Sequence, residues 1–207
     1  MSEVLERFPL FPLGLVLLPS EIVPLHIFEE RYKTMISLCL DEEREFGIVW
    51  LSGEGLAGTG CAAAITQVLE RMEDGRINIL AQGTRPFRLL RRVDDLPYPA
   101  GDIELLEDPD DGPAPLDLLA RARGRYADLV ARVTDTRPDE EELGDMDAYG
   151  MAASVDFALE SKQELLELRS EAERLRRVGE LIGTTMQRLE YAERASDLAR
   201  SNGRIRS

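Results

Sequence analysis

Residues 8–32 read FPLFPLGLVLLPSEIVPLHIFEERY, and the fold turns on whether this apolar stretch is one helix or several strands. A membrane-spanning helix needs about 20 apolar residues with few interruptions. Here Pro9, Pro12, Pro19, Pro24 and Glu21 fall inside the window, and each interior proline removes a helical hydrogen bond. Glu3 and Glu6 precede the run in place of a basic leader, and no Ala-x-Ala cleavage site follows it, which speaks against a signal peptide. The remaining reading is three short extended segments, Phe8 to Leu10, Leu15 to Leu18 and Ile22 to Ile27, with prolines where strands end, bulge or run along an edge.

Working outward, FEERYKTMISLCL puts Phe28, Tyr32, Met35, Ile36 and Cys39 on one face of a helix over about 28–41, with Glu29 and Glu30 in the first turn where the helix dipole favours acids. EFGIVWL reads as a buried strand. Asp74-Gly75 predicts a tight hairpin, since that pair adopts the positive φ angles such turns use. It joins strands at about 64–72 and 76–81. GTRPFRLLRRV and AGDIELLE supply further strands, and Arg85, Arg88, Arg91 and Arg92 read as a solvated strand face. The first half is therefore a largely antiparallel sheet or barrel with one helix.

The texture changes at EDPDDGPAP, residues 107–115, where acids, prolines and glycine gather without apolar period. This sets an expected division into residues 1–112 and 113–207. Beyond it PLDLLARARGRYADLVARV, a polar loop DTRPDEEELGDMD and segments from about 147 onward read as a helical bundle. Ser161 with Glu164, and Ser170 with Glu173, have the spacing of capping boxes and predict helix starts near 162 and 171. Leu175, Val178, Ile182 and Leu189, widened by Leu181 and Met186, form the apolar stripe of a long last helix. The tail SNGRIRS is expected to fray. The fold class is thus α+β.

With 207 residues and 43% hydrophobic content the chain can build a substantial core. Its formal charge of −15 divides as −11 over residues 1–112 and −4 over 113–207. That argues against nucleic acid and against an anionic membrane surface, both of which call for a basic face. Only Cys39 and Cys61 are present. Two free, mostly buried thiols in a reduced, cytoplasmic setting are expected.

Motifs that carry chemistry are few. Gly53, Gly55 and Gly58 spell G-x-G-x-x-G after a strand, the pattern that lets a backbone approach a pyrophosphate. However, Glu54 sits in the loop, Gly60 would weaken a following helix, and no ribose-binding acid follows the next strand. DMDAYGMAASVD matches part of a calcium loop at Asp145, Asp147 and Gly150, but Tyr149 takes a ligand position and the glutamate at position twelve is missing. His26, the only histidine, cannot build a zinc site alone. Lys33 and Lys162, the only lysines, read as exposed helix positions. No catalytic, cofactor or metal site is expected.

Three blocks in order, FPLFPLGLVLLPSEIVPLHIFEERYKTMI, GTGCAAAITQVLERMEDGRINILAQGTRPFRL and SKQELLELRSEAERLRRV, resemble the N-terminal substrate-binding domain of the ATP-dependent protease Lon. The resemblance runs from about residue 7 to 190. It looks like a stand-alone bacterial version of that domain, without the nucleotide loop or the Ser–Lys dyad that Lon chemistry needs. It implies a PUA-like β-rich part followed by a helical bundle, and a non-catalytic module that binds unfolded or tagged proteins or one specific protein partner. Oligomeric state stays open. Such binding would use apolar pockets and sheet edges that accept an extended peptide. The segment from Phe11 to Pro24, with Phe11, Pro12, Leu13, Pro19 and Pro24, is the expected exposed edge. Arg31, Tyr32, Arg85 and Phe87 are expected beside a groove, although Tyr32 and Phe87 also suit a core and the two arginines also suit local ion pairs. The competing expectation is a small-ligand or nucleotide site in the cleft between sheet and bundle, near the glycine loop.

Overall fold

The computed structural model describes residues 3–109 and 112–203, with side chains described through residue 195. Six strands come first, interrupted by one helix. They are β1 (Val4–Leu13), β2 (Ile22–Ile27), then α1 (Glu30–Asp41), β3 (Phe46–Ser52), β4 (Gly55–Arg71), β5 (Ile77–Val93) and β6 (Ala100–Leu105). Five helices follow: α2 (Leu116–Thr134), α3 (Glu140–Gly144), α4 (Ala148–Ala153), α5 (Leu159–Glu167) and α6 (Glu171–Gly203). Residues 204–207 of the SNGRIRS tail lie outside the described residues; 201–203 end α6.

The strands are ordered β2-β5-β4-β3-β1-β6, and β5 pairs again with β6. Strands β1, β3, β4, β5 and β6 therefore close into a barrel, and closure removes their free edges. Only β1 and β3 run parallel. Strand β5 is long enough to serve two neighbours: Ile77–Gln82 pairs with β2, and Phe87–Val93 pairs with β6. Strand β2 is thus an appendage outside the barrel.

The opening stretch is extended, as its prolines predict, with two differences. Strand β1 starts earlier, at Val4, because Arg7 takes φ 55° in a bulge where its backbone N–H donates to Asp102. Leu15 to Leu18 is not a strand. Val16, Leu17 and Leu18 are buried, but the chain crosses over β5 at Gly83, where a Cβ would lie 2.1 Å from the Leu18 carbonyl oxygen. Glycine is required by that close approach. Two backbone bonds then span the crossing: Ser20 N–H donates to the Gly83 carbonyl and Gly83 N–H to the Glu21 carbonyl.

Alternate residues of the barrel strands serve two cores. Phe8, Leu10, Val49, Ala62, Phe87, Ile103 and Leu105 fill the barrel, where the tip of the Phe87 ring comes so close to Gly47 and Gly60 that a Cβ at either would sit 2.7 Å from it. The opposite faces, with Phe11, Ile48, Cys61 and Ile79, join α1, α2, α4, α5 and α6 in one larger cluster. The expected boundary at 107–115 falls between β6 and α2, and this apolar cluster runs across it.

Several local expectations change. The hairpin at Asp74-Gly75 is present, but only Gly75 has positive φ, in a turn closed by Gly75 N–H to Met72 and Met72 N–H to Arg76. Ser161 does not cap a helix, because α5 already starts at Leu159 and Glu164 instead pairs with Arg177. Helix α6 does begin at Glu171. A capping box forms where a loop is expected, between Asp139 and Glu142. The would-be calcium loop is helix α4, capped by Asp147 on the Gly150 N–H, and among the described residues no cluster of acids, histidines and cysteines is placed to hold a metal ion. Lys162 is 8% exposed rather than solvated, since its ammonium is neutralised by Glu21. Among the described residues no helix is long and apolar enough to cross a membrane.

Candidate functional site

A mostly apolar groove of about 720 Å³ opens beside β2. Its floor comes from β1 and α1. Phe11 and Tyr32 are both buried, with ring centroids 4.1 Å apart. The Arg31 guanidinium lies 4.6 Å over the Tyr32 ring and is held by the Glu29 carboxylate at 2.8 Å, so the cation on this rim is already partnered. Burial pushes the Tyr32 hydroxyl above its ordinary pKa, keeping it neutral. One wall is β2 from Pro24 to Ile27 together with Phe28 just beyond it; the other is formed by Leu51 and Leu56 on the β3–β4 hairpin and by the chain around Arg92–Asp94 and Pro99–Ala100.

Topology explains why the groove is here. Among the described residues β2 pairs with β5 on one side and with no strand on the other, so this is the sheet edge that barrel closure leaves open. Ile22 and Phe28 are 57% and 59% exposed, while Leu25 and Ile27 point into the core. That alternation is the period-two pattern of a half-buried strand.

Of the residues expected at a peptide site, the structure brings Phe11, Pro12, Leu13, Pro24, Arg31 and Tyr32 together around this groove. It does not bring the others. Phe87 is fully buried inside the barrel, edge-on to Phe8 at 6.0 Å, and has no surface to offer a ligand. Arg85 lies elsewhere on the surface, between Glu3 and Glu45. Pro19 stays in the crossing loop. The expected exposed edge from Phe11 is also corrected: Phe11, Pro12 and Leu13 are paired in parallel with Ile48, Val49 and Trp50, and the open edge belongs to Ile22–Ile27.

Sequence reasoning missed His26, Phe28, Leu51 and Leu56 as groove residues. The apolar spacing places Phe28 on the buried face of a helix over about 28–41, whereas α1 begins at Glu30 with Glu29 in extended conformation as N-cap. The signal for Leu51 and Leu56 was the glycine loop between them. Gly53, Gly55 and Gly58 build a β-hairpin, with Gly55 at φ 115° and Ser52 paired to Gly55. No helix follows that loop, so it has no dipole to hold a phosphate.

A closed five-stranded barrel carrying an outside strand, continued by packed helices, defines an α+β fold. The family model described as the ATP-dependent protease La (LON) substrate-binding domain matches residues 7–184, and the chain belongs to that family. It is 24% identical to Lon protease 1 of Hydrogenovibrio crunogenus over 86% of its length, and 27% identical to the Lon protease of Roseiflexus castenholzii over 85%. It spans 24%, about a quarter, of the length of each of these relatives. The fold is shared with the Lon N-terminal domain protein of Xanthomonas campestris, with TM-score 0.64, 23% identity, and 84% of this chain and 97% of that one covered. It is also shared with the N-terminal domain of the Mycobacterium avium complex Lon protease, with TM-score 0.62, 18% identity, and coverage of 87% and 98%.

Proposed function

We propose that this chain is a non-catalytic protein-recognition module that holds extended, apolar segments of unfolded or tagged polypeptides in the groove beside β2. The observation that carries this reading is the coincidence of a free strand edge with an apolar groove. An added strand satisfies its backbone groups on the edge while alternate side chains enter the groove, which is how sheet edges recognise peptides. Membership of a family described by substrate binding supports the same reading. In this proposal the barrel and β2 do the recognising, and the helices after residue 113 brace the back of the sheet.

Hydrogen–deuterium exchange of the whole chain, with and without reduced carboxymethylated α-lactalbumin as a permanently unfolded probe, tests it. Amides of 22–28 and 51–56 are expected to gain protection. Protection confined to α2 and α6, or none at saturating probe, would refute the assignment.

A further inference from the structure

Three side chains stand abreast on adjacent strands. The register pairs Glu70 of β4 with Asn78 of β5, and Asn78 with His26 of β2. Their polar groups form a chain: Asn78 Nδ2 donates to Glu70 Oε2 at 3.0 Å, and Asn78 Oδ1 lies 2.6 Å from His26 Nδ1. The direction of this chain follows from chemistry. A carboxylate offers only acceptors, so the amide must present its NH₂ to Glu70 and its carbonyl to His26. A carbonyl cannot donate, so the proton between Asn78 and His26 belongs to Nδ1. In a neutral imidazole the other nitrogen is then a bare acceptor.

That other nitrogen is Nε2, which has no hydrogen-bond partner among the described residues. The ring lines the groove and packs against Phe28, with centroids 5.8 Å apart and planes 24° apart, so its orientation is held on two sides. Between Pro24 and Phe28 the wall is otherwise apolar in its side chains, and an apolar segment lying there carries few donors other than its own backbone N–H groups.

We propose that His26 is the specificity-determining residue of this groove: Glu70 and Asn78 hold its imidazole in the Nδ1–H tautomer, and Nε2 accepts a hydrogen bond from one backbone amide of the bound segment. The contact requires an amide N–H at that point of the segment, so it disfavours proline there, which has none. This inference rests on the groove reading above and adds to it a directional polar contact.

The test has two parts. His26 is the only histidine, so long-range ¹H–¹⁵N spectra of the whole chain report one ring. They should show the Nδ1–H tautomer in the wild type and a shift toward Nε2–H in Asn78→Leu. A wild-type ring in the Nε2–H form overturns the proposal. The second part uses a fluorescent decapeptide of leucine, valine and phenylalanine flanked by lysines, and a set of analogues each N-methylated at one backbone amide. Analogues methylated at amides that pair with the β2 edge should weaken in both proteins; one further analogue should bind the wild type about tenfold more weakly, the scale of one lost hydrogen bond, and that loss alone should vanish in His26→Phe. Losses that are the same in both proteins overturn the role of His26 while leaving the groove reading intact. Failure of every peptide to bind the wild type, with the Nδ1–H tautomer observed, overturns the groove reading and this inference with it.

Discussion

Lys162 Nζ lies 2.6 Å from Glu21 Oε1, joining residues 141 positions apart. The same carboxylate accepts from the Leu18 backbone N–H at 2.9 Å through its other oxygen. Glu21 therefore fastens the loop before β2 to itself and to helix α5, and so sets where the free strand begins. Both side chains are largely buried, 11% and 21% exposed. Removing one partner strands the other in a poorly solvated place. Lys162→Met should lower unfolding free energy by about 2 kcal/mol, and the double variant with Glu21→Gln should lose less than the sum of the two single losses. Urea denaturation of the four proteins measures this, and additive losses would mean that the pair is not coupled.

Gly83 makes a sharper steric demand. Its virtual Cβ would collide with the Leu18 backbone, whereas Gly14 has open space around its own. Gly83→Ala must push the crossing loop off β5 and break the Ser20–Gly83–Glu21 bonds, a loss of about 2–4 kcal/mol by the general cost of overpacking and lost hydrogen bonds. Gly14→Ala should stay within about 0.5 kcal/mol. Equal melting temperatures for the two variants would contradict the close approach.

The thiols predict an alkaline limit. Burial raises Cys39 from 9.0 to about 11 and pushes Cys61 further in the same direction. The folded chain holds these protons longer than the unfolded chain does. Their contribution to stability is therefore complete below pH 9.0, the value from which Cys39 is raised, and is lost as pH rises toward about 11 through the Cys39 value. Unfolding curves from pH 7 to 11 should fall in that window, less steeply in Cys39→Ala. At pH 8 neither thiol should react with a disulfide reagent until the chain unfolds; prompt labelling of the native protein would show the burial to be wrong.

Much of this was legible in the sequence. Prolines within residues 8–27 spoke against a helix, and the stripe Leu175, Val178, Ile182 located α6, because proline chemistry and helical spacing are local. What was hidden is non-local. Nothing near Phe87 reveals that β5 turns from β2 to β6 midway along its length, yet that turn closes the barrel, buries Phe87 and moves the free edge from Phe11 to Ile22. Lys162 read as exposed because its partner lies 141 residues away. Phe28 read as core because a helix beginning two residues early places it on the apolar face; the extended Glu29 turns it out to solvent instead.

Phe28 also gives the most direct test of the central claim that the groove beside β2 binds apolar polypeptide. It is 59% exposed and outside the helix, so Phe28→Asp should leave the fold intact while placing a carboxylate at the groove wall. The measurement is the affinity of wild type and Phe28→Asp for reduced carboxymethylated α-lactalbumin by fluorescence anisotropy, with unchanged melting temperatures as the control. Lost apolar contact together with a desolvated charge should weaken binding at least tenfold, on the order of 1.4 kcal/mol or more. Equal affinities for the two proteins would contradict the account and place recognition, if it occurs, on another face of the molecule.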